Sequence, residues 1–211
     1  MRKHILVLDY GVGNIKSIMA AFKKFENDVL LGSANKDFTN AKALIIPGVG
    51  AFRHGMDKLK VNKLDTRIRE FAQEKRPIMG ICLGMQMLFS SSQEFGESAG
   101  LNLIEGDVKR LSPKQKHKLP NISWSEISPS SKSEPLLEGI NQSDKFYHIH
   151  SFYAEPKSEE HILAKTKFFD KSYCSIAKKG NIFGCQFHPE KSGEQGLKII
   201  KNFVDISNTN E

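Results

Sequence analysis

The fold is decided by one segment, Gly80-Ile81-Cys82-Leu83-Gly84-Met85-Gln86. It joins an apolar run, predicted as a strand over 77–81, to helical spacing that predicts a helix over 83–90. Glycines two residues before and after Cys82 permit the sharp strand-to-helix turn that exposes a nucleophile. The positive end of the following helix favours the thiolate form of the cysteine. The alternative is a buried cysteine that only fills space in the core.

A second segment, Gly184-Cys185-Gln186-Phe187-His188-Pro189-Glu190, contains a candidate base. It belongs to a predicted strand over 182–187 and its continuation. His188 and Glu190 are two positions apart, so both side chains project to one side of an extended chain. An imidazole that is oriented by a carboxylate can take a proton from a thiol. The alternative is a core histidine followed by a solvated glutamate.

A glycine-rich loop, Pro47-Gly48-Val49-Gly50-Ala51-Phe52, follows the apolar strand predicted over 43–46. Glycine leaves the backbone free to adopt unusual angles. Such a loop can aim backbone N–H groups at a substrate oxygen, and losing one such donor typically costs on the order of 100- to 1,000-fold in rate. The alternative is an ordinary turn between a strand and a helix.

A second glycine-containing loop, Asp9-Tyr10-Gly11-Val12-Gly13-Asn14, superficially suggests a nucleotide site. It follows the apolar run 5–8 and precedes an amphipathic stretch. However, Lys16 stands where a dinucleotide-binding loop needs its third glycine. The chain also contains no Gly-Lys-Ser/Thr of a phosphate-binding loop. Neither type of nucleotide site is therefore supported.

Composition is typical of an intracellular globular enzyme. The 211 residues are enough for one well-packed domain, predicted over 1–211. The three cysteines form neither an even disulfide framework nor a CxxC metal motif, and no leader or membrane-spanning run is found, so we expect a cytoplasmic protein with no membrane contact. The net charge of +7 is spread along the chain without a stripe of aromatic residues, so nucleic-acid binding is not expected. Attraction to a phosphorylated substrate or an acidic partner stays open.

The apolar pattern predicts an α/β fold with a doubly wound mixed sheet flanked by helices. In the first half, predicted strands at 4–8, 28–31, 43–46 and 77–81 alternate with predicted helices at 13–25, 51–60, 64–74 and 83–90. The second half has shorter predicted strands at 103–111, 120–127, 146–154, 162–168, 173–178 and 182–187, a loop over Ser128–Glu134, and a final helix at about 193–205. Ligands of open α/β sheets bind beyond the carboxyl ends of the strands, so we expect Gly11, Gly48 and Cys82 to share one cleft.

These segments together resemble the class I (triad-type) glutamine amidotransferases, and most closely the glutaminase subunits of imidazole glycerol phosphate synthases. The resemblance covers nearly the whole chain in the same order. Its motifs are Asp9–Asn14, Pro47–Phe52, the Cys82 turn, Trp124, His150-Ser151 and His188-Pro189-Glu190-Lys191-Ser192. It implies a flavodoxin-like fold with the helices on both faces of the sheet.

The resemblance implies a role for each matched position. Cys82 is the nucleophile, His188 the general base and acid, and Glu190 the orienting carboxylate. Backbone amides at Gly48, Val49, Gly50 and Leu83 form the oxyanion hole. Glutamine contacts Gln86 and the backbone around His150, Ser151 and Phe152, whereas an exposed helix position is the alternative for Gln86. Asn14, Trp124 and Lys191 lie near the partner interface, with simple core packing as the alternative for Trp124 and a surface polar group for the other two.

The implied function is hydrolysis of glutamine to glutamate and ammonia without a cofactor or metal. The ammonia passes to a (β/α)₈-barrel cyclase in a heterodimer that serves histidine biosynthesis, where the pair acts as a lyase. One segment departs from the family pattern, since Pro120-Asn121-Ile122-Ser123-Trp124-Ser125 stands where Pro-His-Ile-Gly-Trp-Asn is usual.

Three alternatives stay open. The first is a paralogous glutaminase that feeds a different synthase, such as one that amidinates bacterial surface sugars. The second is a regulatory binding subunit that keeps the fold without the chemistry. The third is a cysteine peptidase of the same broad superfamily.

Overall fold

A computed structural model describes residues 3–112, 118–130 and 133–209. The strands of the first half are β1 (His4–Leu8), β2 (Val29–Gly32), β3 (Ala41–Ile46), β4 (Ile78–Ile81), β5 (Phe89–Ser92), β6 (Ser98–Ala99) and β7 (Ile104–Arg110). Those of the second half are β8 (Asn121–Glu126), β9 (Ser128–Pro129), β10 (Lys145–His150), β11 (Phe152–Pro156), β12 (Ile162–Phe168), β13 (Lys171–Lys179) and β14 (Ile182–Cys185). The α-helices are α1 (Ile15–Phe22), α2 (Phe52–Val61), α3 (Leu64–Gln73), α4 (Leu83–Met87) and α5 (Gly193–Thr209). Short 3₁₀ turns occur at Asn35–Phe38, Pro135–Leu137, Glu159–His161 and Pro189–Lys191.

A mixed main sheet forms the centre of the fold. Over the described ranges it has eight strands in the order β2-β1-β3-β4-β14-β13-β12-β9. The first five of these strands are parallel, and the last three are antiparallel additions. The doubly wound mixed α/β fold that the sequence predicts is therefore confirmed.

Alternate residues of the parallel strands pack into two separate hydrophobic clusters. On β1, Leu6 and Leu8 belong to the cluster that contains α2 and α3 side chains, whereas Ile5 and Val7 belong to the one that contains α1 and α5 side chains. β1, β3 and β4 are thus covered on both faces, which explains their continuous apolar sequences. None of the helices in the described residues is both long and apolar enough to cross a membrane.

The region after the cysteine turn differs from the prediction. The helix predicted over 83–90 ends at Met87, and β5 begins at Phe89. The reason is tertiary, because the N–H groups of Leu101 and Leu103 bond to the carbonyls of Met87 and Leu88 and remove them from a continuing helix. In a second sheet of the described chain, β5 lies between β6 and β7, and β11 extends it.

The strand predicted over 146–154 is also wrong, because the chain breaks at Ser151. β10 pairs with β8 in a separate two-stranded sheet, while β11 pairs with β7. The predicted loop Ser128–Glu134 contains the short edge strand β9, and its residues 131–132 lie outside the described residues.

A buried polar cluster attaches the β8–β10 ribbon to the main sheet. We call the side chains of Asn121, His148, His150 and Tyr173 the histidine cluster. The Tyr173 hydroxyl lies 3.0 Å from His148 Nδ1 and 3.1 Å from His150 Nε2, and Asn121 Nδ2 donates to the same hydroxyl over 3.2 Å. His150 Nδ1 lies 2.8 Å from the carbonyl oxygen of Phe152, which can only accept, so this nitrogen carries the proton of the neutral ring.

Both histidines of the cluster are held neutral. Burial lowers the pKa of His148 well below its ordinary value, and the nearby His150 and His188 add to that effect. Burial also lowers the pKa of His150 to about 4, although its bond to the Phe152 carbonyl partly opposes the shift. The cluster therefore resists protonation in the folded state.

We predict that acid destabilises the protein partly through His150. In the unfolded chain this histidine gains a proton below pH 6.5, but in the folded chain it gains one only near pH 4. Its contribution to the unfolding free energy is therefore present above pH 6.5 and falls by about 2 kcal/mol between pH 7 and pH 5. His188 offsets only part of this fall, because its raised pKa gives stability that is complete below pH 6.5 and is lost as the pH rises towards about 10, so little of it is missing at pH 7.

Urea unfolding at pH 7 and pH 5 measures the effect. In His150→Gln the fall in unfolding free energy should be smaller by about 2 kcal/mol. The control is His54→Gln, since His54 is exposed, and it should keep the wild-type dependence on pH. An unchanged pH dependence in His150→Gln would show that the cluster does not exclude the proton.

Candidate active site

The turn between β4 and α4 holds Cys82 in a strained backbone conformation. Its φ is +55° and its ψ is −111°, a region that side chains rarely adopt. The close approach of the surrounding backbone imposes this turn. A Cβ atom at Gly80 would lie 2.6 Å from the carbonyl oxygen of Gly84, and one at Gly84 would overlap the carbonyl oxygen of Ile46. Only glycine fits both positions, and the turn projects Cys82 beyond the carboxyl end of the sheet.

His188 and Glu190 meet directly. His188 Nδ1 lies 2.8 Å from Glu190 Oε1, and both side chains are almost completely buried. The sequence predicts an extended chain here, but β14 ends at Cys185, and Glu190 lies in the 3₁₀ turn Pro189–Lys191. The position of His188 is fixed by its main chain, because its N–H donates to the Tyr147 carbonyl over 3.0 Å.

The second ring nitrogen of His188 faces the reactive side of the site. Nε2 is buried and has no hydrogen-bond partner among the described residues. Burial by itself lowers the pKa of His188, but interactions with Cys82 and Glu190 outweigh it and raise that pKa to about 10. The geometry therefore favours the imidazolium form of His188.

A cavity of about 310 Å³ opens on Cys82 and His188. Its other lining residues are Val49, Gly50, Leu83, Gln86, Glu94, Ile149, His150, Ser151, Phe152 and Lys191. Most of the candidate catalytic and substrate-binding residues, which come from three distant parts of the sequence, thus line one cavity. A larger cavity, of about 930 Å³, lies along residues 129–142. Its described lining residues include no cysteine or histidine, so it carries no comparable chemistry.

The Pro47–Phe52 loop is held at both ends. The Tyr10 hydroxyl donates a short hydrogen bond to the carbonyl of Pro47. The N–H of Phe52 donates to Glu94 Oε2 over 2.7 Å. Between these anchors, Val49 and Gly50 line the cavity, and Gly50 has a φ of +100°. Gly48 does not line it but packs against Leu83 and Gly84, where a Cβ atom would come within 2.8 Å.

Two amide sources flank the cysteine. The Leu83 N–H is the first amide of α4 and has no acceptor within its own helix. The amides of Val49 and Gly50 belong to the loop opposite. An oxygen that develops negative charge beside Cys82 can therefore be met from both sides.

Gln86 is buried rather than exposed. Its Nε2 donates to the Phe152 carbonyl over 2.9 Å and to Gln186 Oε1 over 3.1 Å. The Gln86 side chain therefore forms part of the inner wall of the cavity and fixes the adjoining backbone of β11.

Sequence reasoning missed Glu94. Its carboxylate lines the cavity and also caps α2 through Phe52. The sequence predicts a helix to residue 90, whereas β5 begins at Phe89. A helix of that length gives no reason to expect that the next loop returns towards Cys82. The Ser-Ser-Ser-Gln-Glu run after Phe89 contains no recognisable motif of its own.

The three residues expected at a partner interface lie in three different environments. Lys191 lines the cavity, whereas Asn14 is exposed at the start of α1. Trp124 is 53% exposed on β8. Its ring lies 5.8 Å from that of Tyr147, which in turn lies 6.5 Å from the ring of His188.

Comparison with known proteins gives relatives over almost the full length. "Imidazole glycerol phosphate synthase subunit HisH 1" of Legionella pneumophila (strain Lens) is 41% identical over 210 residues, with 96% of this chain and 99% of the relative covered. The subunit HisH of Methanosarcina barkeri is 41% identical over 204 residues, with 97% and 99% covered. The subunit HisH 2 of Pseudomonas aeruginosa is 39% identical over 203 residues, with 96% and 99% covered.

Solved structures share the fold. PurLQS from Thermotoga maritima aligns with a TM-score of 0.73 at 18% identity, covering 98% of this chain and 99% of that one. A glutamine amidotransferase from Thermotoga maritima aligns with a TM-score of 0.63 at 15% identity, covering 100% of this chain and 86% of that one. The family model described as "Glutamine amidotransferase class-I" matches residues 6–206. The cysteine turn and the fold agree with this match. Because the family model covers most of its sequence, this chain belongs to the class I glutamine amidotransferases.

Proposed function

We propose that this chain, as one glutaminase domain over residues 1–211, is the glutaminase subunit of an imidazole glycerol phosphate synthase. It hydrolyses glutamine to glutamate and ammonia and supplies the ammonia to a cyclase subunit. One observation carries the chemistry: Cys82 and His188 open on the same cavity, and Glu190 holds the imidazole from behind. The relatives named above support the pathway.

The reaction follows from this arrangement. The Cys82 thiolate attacks the side-chain carboxamide carbon of glutamine, and the resulting oxyanion accepts hydrogen bonds from backbone amides of Leu83 and the Val49–Gly50 loop. The His188 imidazolium gives its proton to the departing nitrogen, and ammonia leaves. The neutral imidazole then takes a proton from water, which attacks the γ-glutamyl thioester and releases glutamate. Glu190 keeps the ring oriented and stabilises its cationic form throughout.

We predict that Cys82→Ala abolishes glutamate release from glutamine. The complex with the cyclase should still form product from added ammonium salts, because the cyclase receives ammonia without the cysteine. Coupled assays with either nitrogen source measure both activities. The control is Cys174→Ala, since Cys174 is buried on β13 and does not line the cavity. Loss of both activities in Cys82→Ala, or retained glutaminase activity, would contradict the proposal.

Glu94 supplies the charge that a free amino acid needs. Glutamine carries an α-ammonium group, and Glu94 is the carboxylate among the residues that line the cavity. We propose that it pairs with this ammonium group, as a charge-assisted hydrogen bond would require. This contact also distinguishes free glutamine from a glutamine side chain within a peptide.

We predict that Glu94→Gln raises the KM for glutamine roughly tenfold to a hundredfold, since hydrogen bonds to charged groups are worth that much. The capping bond to the Phe52 N–H survives, so kcat should fall less than KM rises. Steady-state kinetics of glutamate release separate the two. Glu97→Gln is the matched control, because the Glu97 side chain is exposed and does not line the cavity. A KM equal to that of the control would remove Glu94 from substrate recognition.

We further propose a heterodimer with a (β/α)₈-barrel cyclase, so that the pair acts as a lyase. Support comes from exposed apolar side chains at and beside the cavity mouth, which we call the apolar rim: Val49, Ile122, Trp124 and Ile149. Ile122 pairs with Ile149 across the β8–β10 ribbon. Asn14 and Lys191 complete the proposed interface. Exposed apolar groups around a site are typical of docking surfaces.

We place the reaction in the cytoplasm, because the three cysteines are free and buried, as is usual for proteins of that compartment.

We predict that a barrel cyclase and its phosphorylated ribotide substrate strongly stimulate glutamate release by this chain. Trp124→Ala should raise the cyclase concentration needed for half-maximal stimulation by about thirtyfold, the usual effect of losing an interface anchor. Phe169→Ala is the control, because Phe169 is also about half exposed but lies in the turn between β12 and β13.

One outcome of that assay would support a second candidate function. Glutaminase activity that ignores the cyclase would assign the chain to another ammonia-using synthase, such as one that amidinates bacterial surface sugars. The observation that favours it is the segment 120–125, in which Asn121, Ser123 and Ser125 replace the usual residues. Asn121 is buried in the histidine cluster, and its Oδ1 accepts a hydrogen bond from Ser123.

A further inference from the structure

Gln186 is a buried amide between the cavity wall and the sulfur of Cys82. It is completely inaccessible to solvent. Its Nε2 lies 3.9 Å from Cys82 Sγ, and its Oε1 lies 3.1 Å from Gln86 Nε2. Its main-chain N–H donates to the Ser175 carbonyl over 2.9 Å, which continues the pairing of β13 with the end of β14. A buried amide is stable only when its polar atoms are bonded, so these side-chain contacts decide its placement.

The direction of these hydrogen bonds is fixed from one end. The Phe152 carbonyl can only accept, so Gln86 must turn its NH₂ group towards it. The second hydrogen of that NH₂ group then meets Gln186, which must present its carbonyl oxygen. The NH₂ group of Gln186 is consequently turned towards the sulfur. The Gln86 and Gln186 amides thus form a series of two donors, the second of which faces Cys82.

We propose that Gln186 donates a hydrogen bond to the Cys82 sulfur and stabilises its thiolate form. The inference rests on the proposed role of Cys82 as the nucleophile. A donor favours a thiolate over a thiol, because the anion is the stronger acceptor. The bond raises the fraction of reactive sulfur at neutral pH, and it does so before glutamine is bound.

Gln186 acts beside several charged groups, so its effect must be separated from theirs. The ionisable side chains that line the cavity or interact with Cys82 or its base are Tyr10, Glu94, Tyr147, His148, His150, His188, Glu190 and Lys191. His188 and Lys191 favour the thiolate, whereas Glu94 opposes it. Gln186 is uncharged, so a substitution by methionine removes the donor without changing any of these charges.

The test is the pH dependence of Cys82 alkylation. Iodoacetamide reacts with the thiolate, and peptide mass spectrometry locates the label on Cys82 and not on the buried Cys174 or Cys185. In Gln186→Met the midpoint of the rate profile should rise by about one to two pH units, the range expected for a lost hydrogen bond to a charged group. Glutaminase activity at pH 7 should fall about tenfold to a hundredfold and recover as the pH is raised past the new midpoint.

A purely structural role gives a different result. Asn202→Leu removes another buried amide, which lies on α5 and donates to the carbonyls of Leu136 and Glu138. That variant should lower the melting temperature and leave the alkylation midpoint unchanged. A wild-type midpoint in Gln186→Met would overturn the proposal, whatever the melting temperature.

A second variant covers a failure of Gln186→Met to fold. Gln86→Leu removes the group that orients the Gln186 amide, so the midpoint should shift in the same direction by a smaller amount. An unchanged midpoint there would also count against the proposal. Failure of the proposed function looks different, because Cys82→Ala would then keep its glutaminase activity.

Discussion

The backbone of α4 passes so close to the ends of β3 and β4 that no side chain fits between them. Gly80 and Gly84 fill this contact, and Gly48 packs into it from the neighbouring loop. The contact forces the chain to turn sharply at Cys82, which adopts a positive φ that a cysteine would otherwise avoid. It also sets the distance between the Leu83 amide and the Val49–Gly50 loop. The position of the Cys82 sulfur and of the backbone beside it is thus set by one steric constraint.

A single carboxylate, Glu190, decides which of three neighbouring histidines is charged. His148, His150 and His188 lie close together, and burial lowers the pKa of each taken alone. Only His188 has Glu190 behind its ring, and only His188 ends beside Cys82 with a raised pKa. The other two stay neutral and bond to the Tyr173 hydroxyl, and His150 also fixes the Phe152 carbonyl. A cationic acid and a neutral scaffold are therefore built from the same residue type.

Local sequence patterns predicted the parts of the molecule that local physics controls. Continuous apolar runs identified β1, β3 and β4, because parallel strands are buried on both faces. Gly80 and Gly84 identified the turn, since their spacing allows only a few backbone paths. The end of α4 was not predictable in this way. Its carbonyls are bonded by Leu101 and Leu103, and a contact from so far along the chain leaves no mark on the helical spacing.

The same limit applies to the site. Cys82 and His188 carry recognisable neighbours, and the structure brings both to one cavity. Long-range packing alone brings Glu94, from a loop after β5, to that cavity and Gln186, from the end of β14, to the Cys82 sulfur behind the cavity wall. The break at Ser151, which sends β10 and β11 into different sheets, likewise depends on pairing with β8 and β7. Such residues need the fold before their chemistry can be identified.

Trp124 is the only tryptophan in the sequence, and it stands half exposed on the apolar rim. Its ring contacts Tyr147, which contacts the ring of His188. The tryptophan fluorescence of this protein therefore comes from one position that borders both solvent and the Cys82 cavity. Covering the rim changes the polarity around the indole, and charging the imidazole changes the quenching of its emission. A single natural chromophore thus reports on docking and on proton movement without any label.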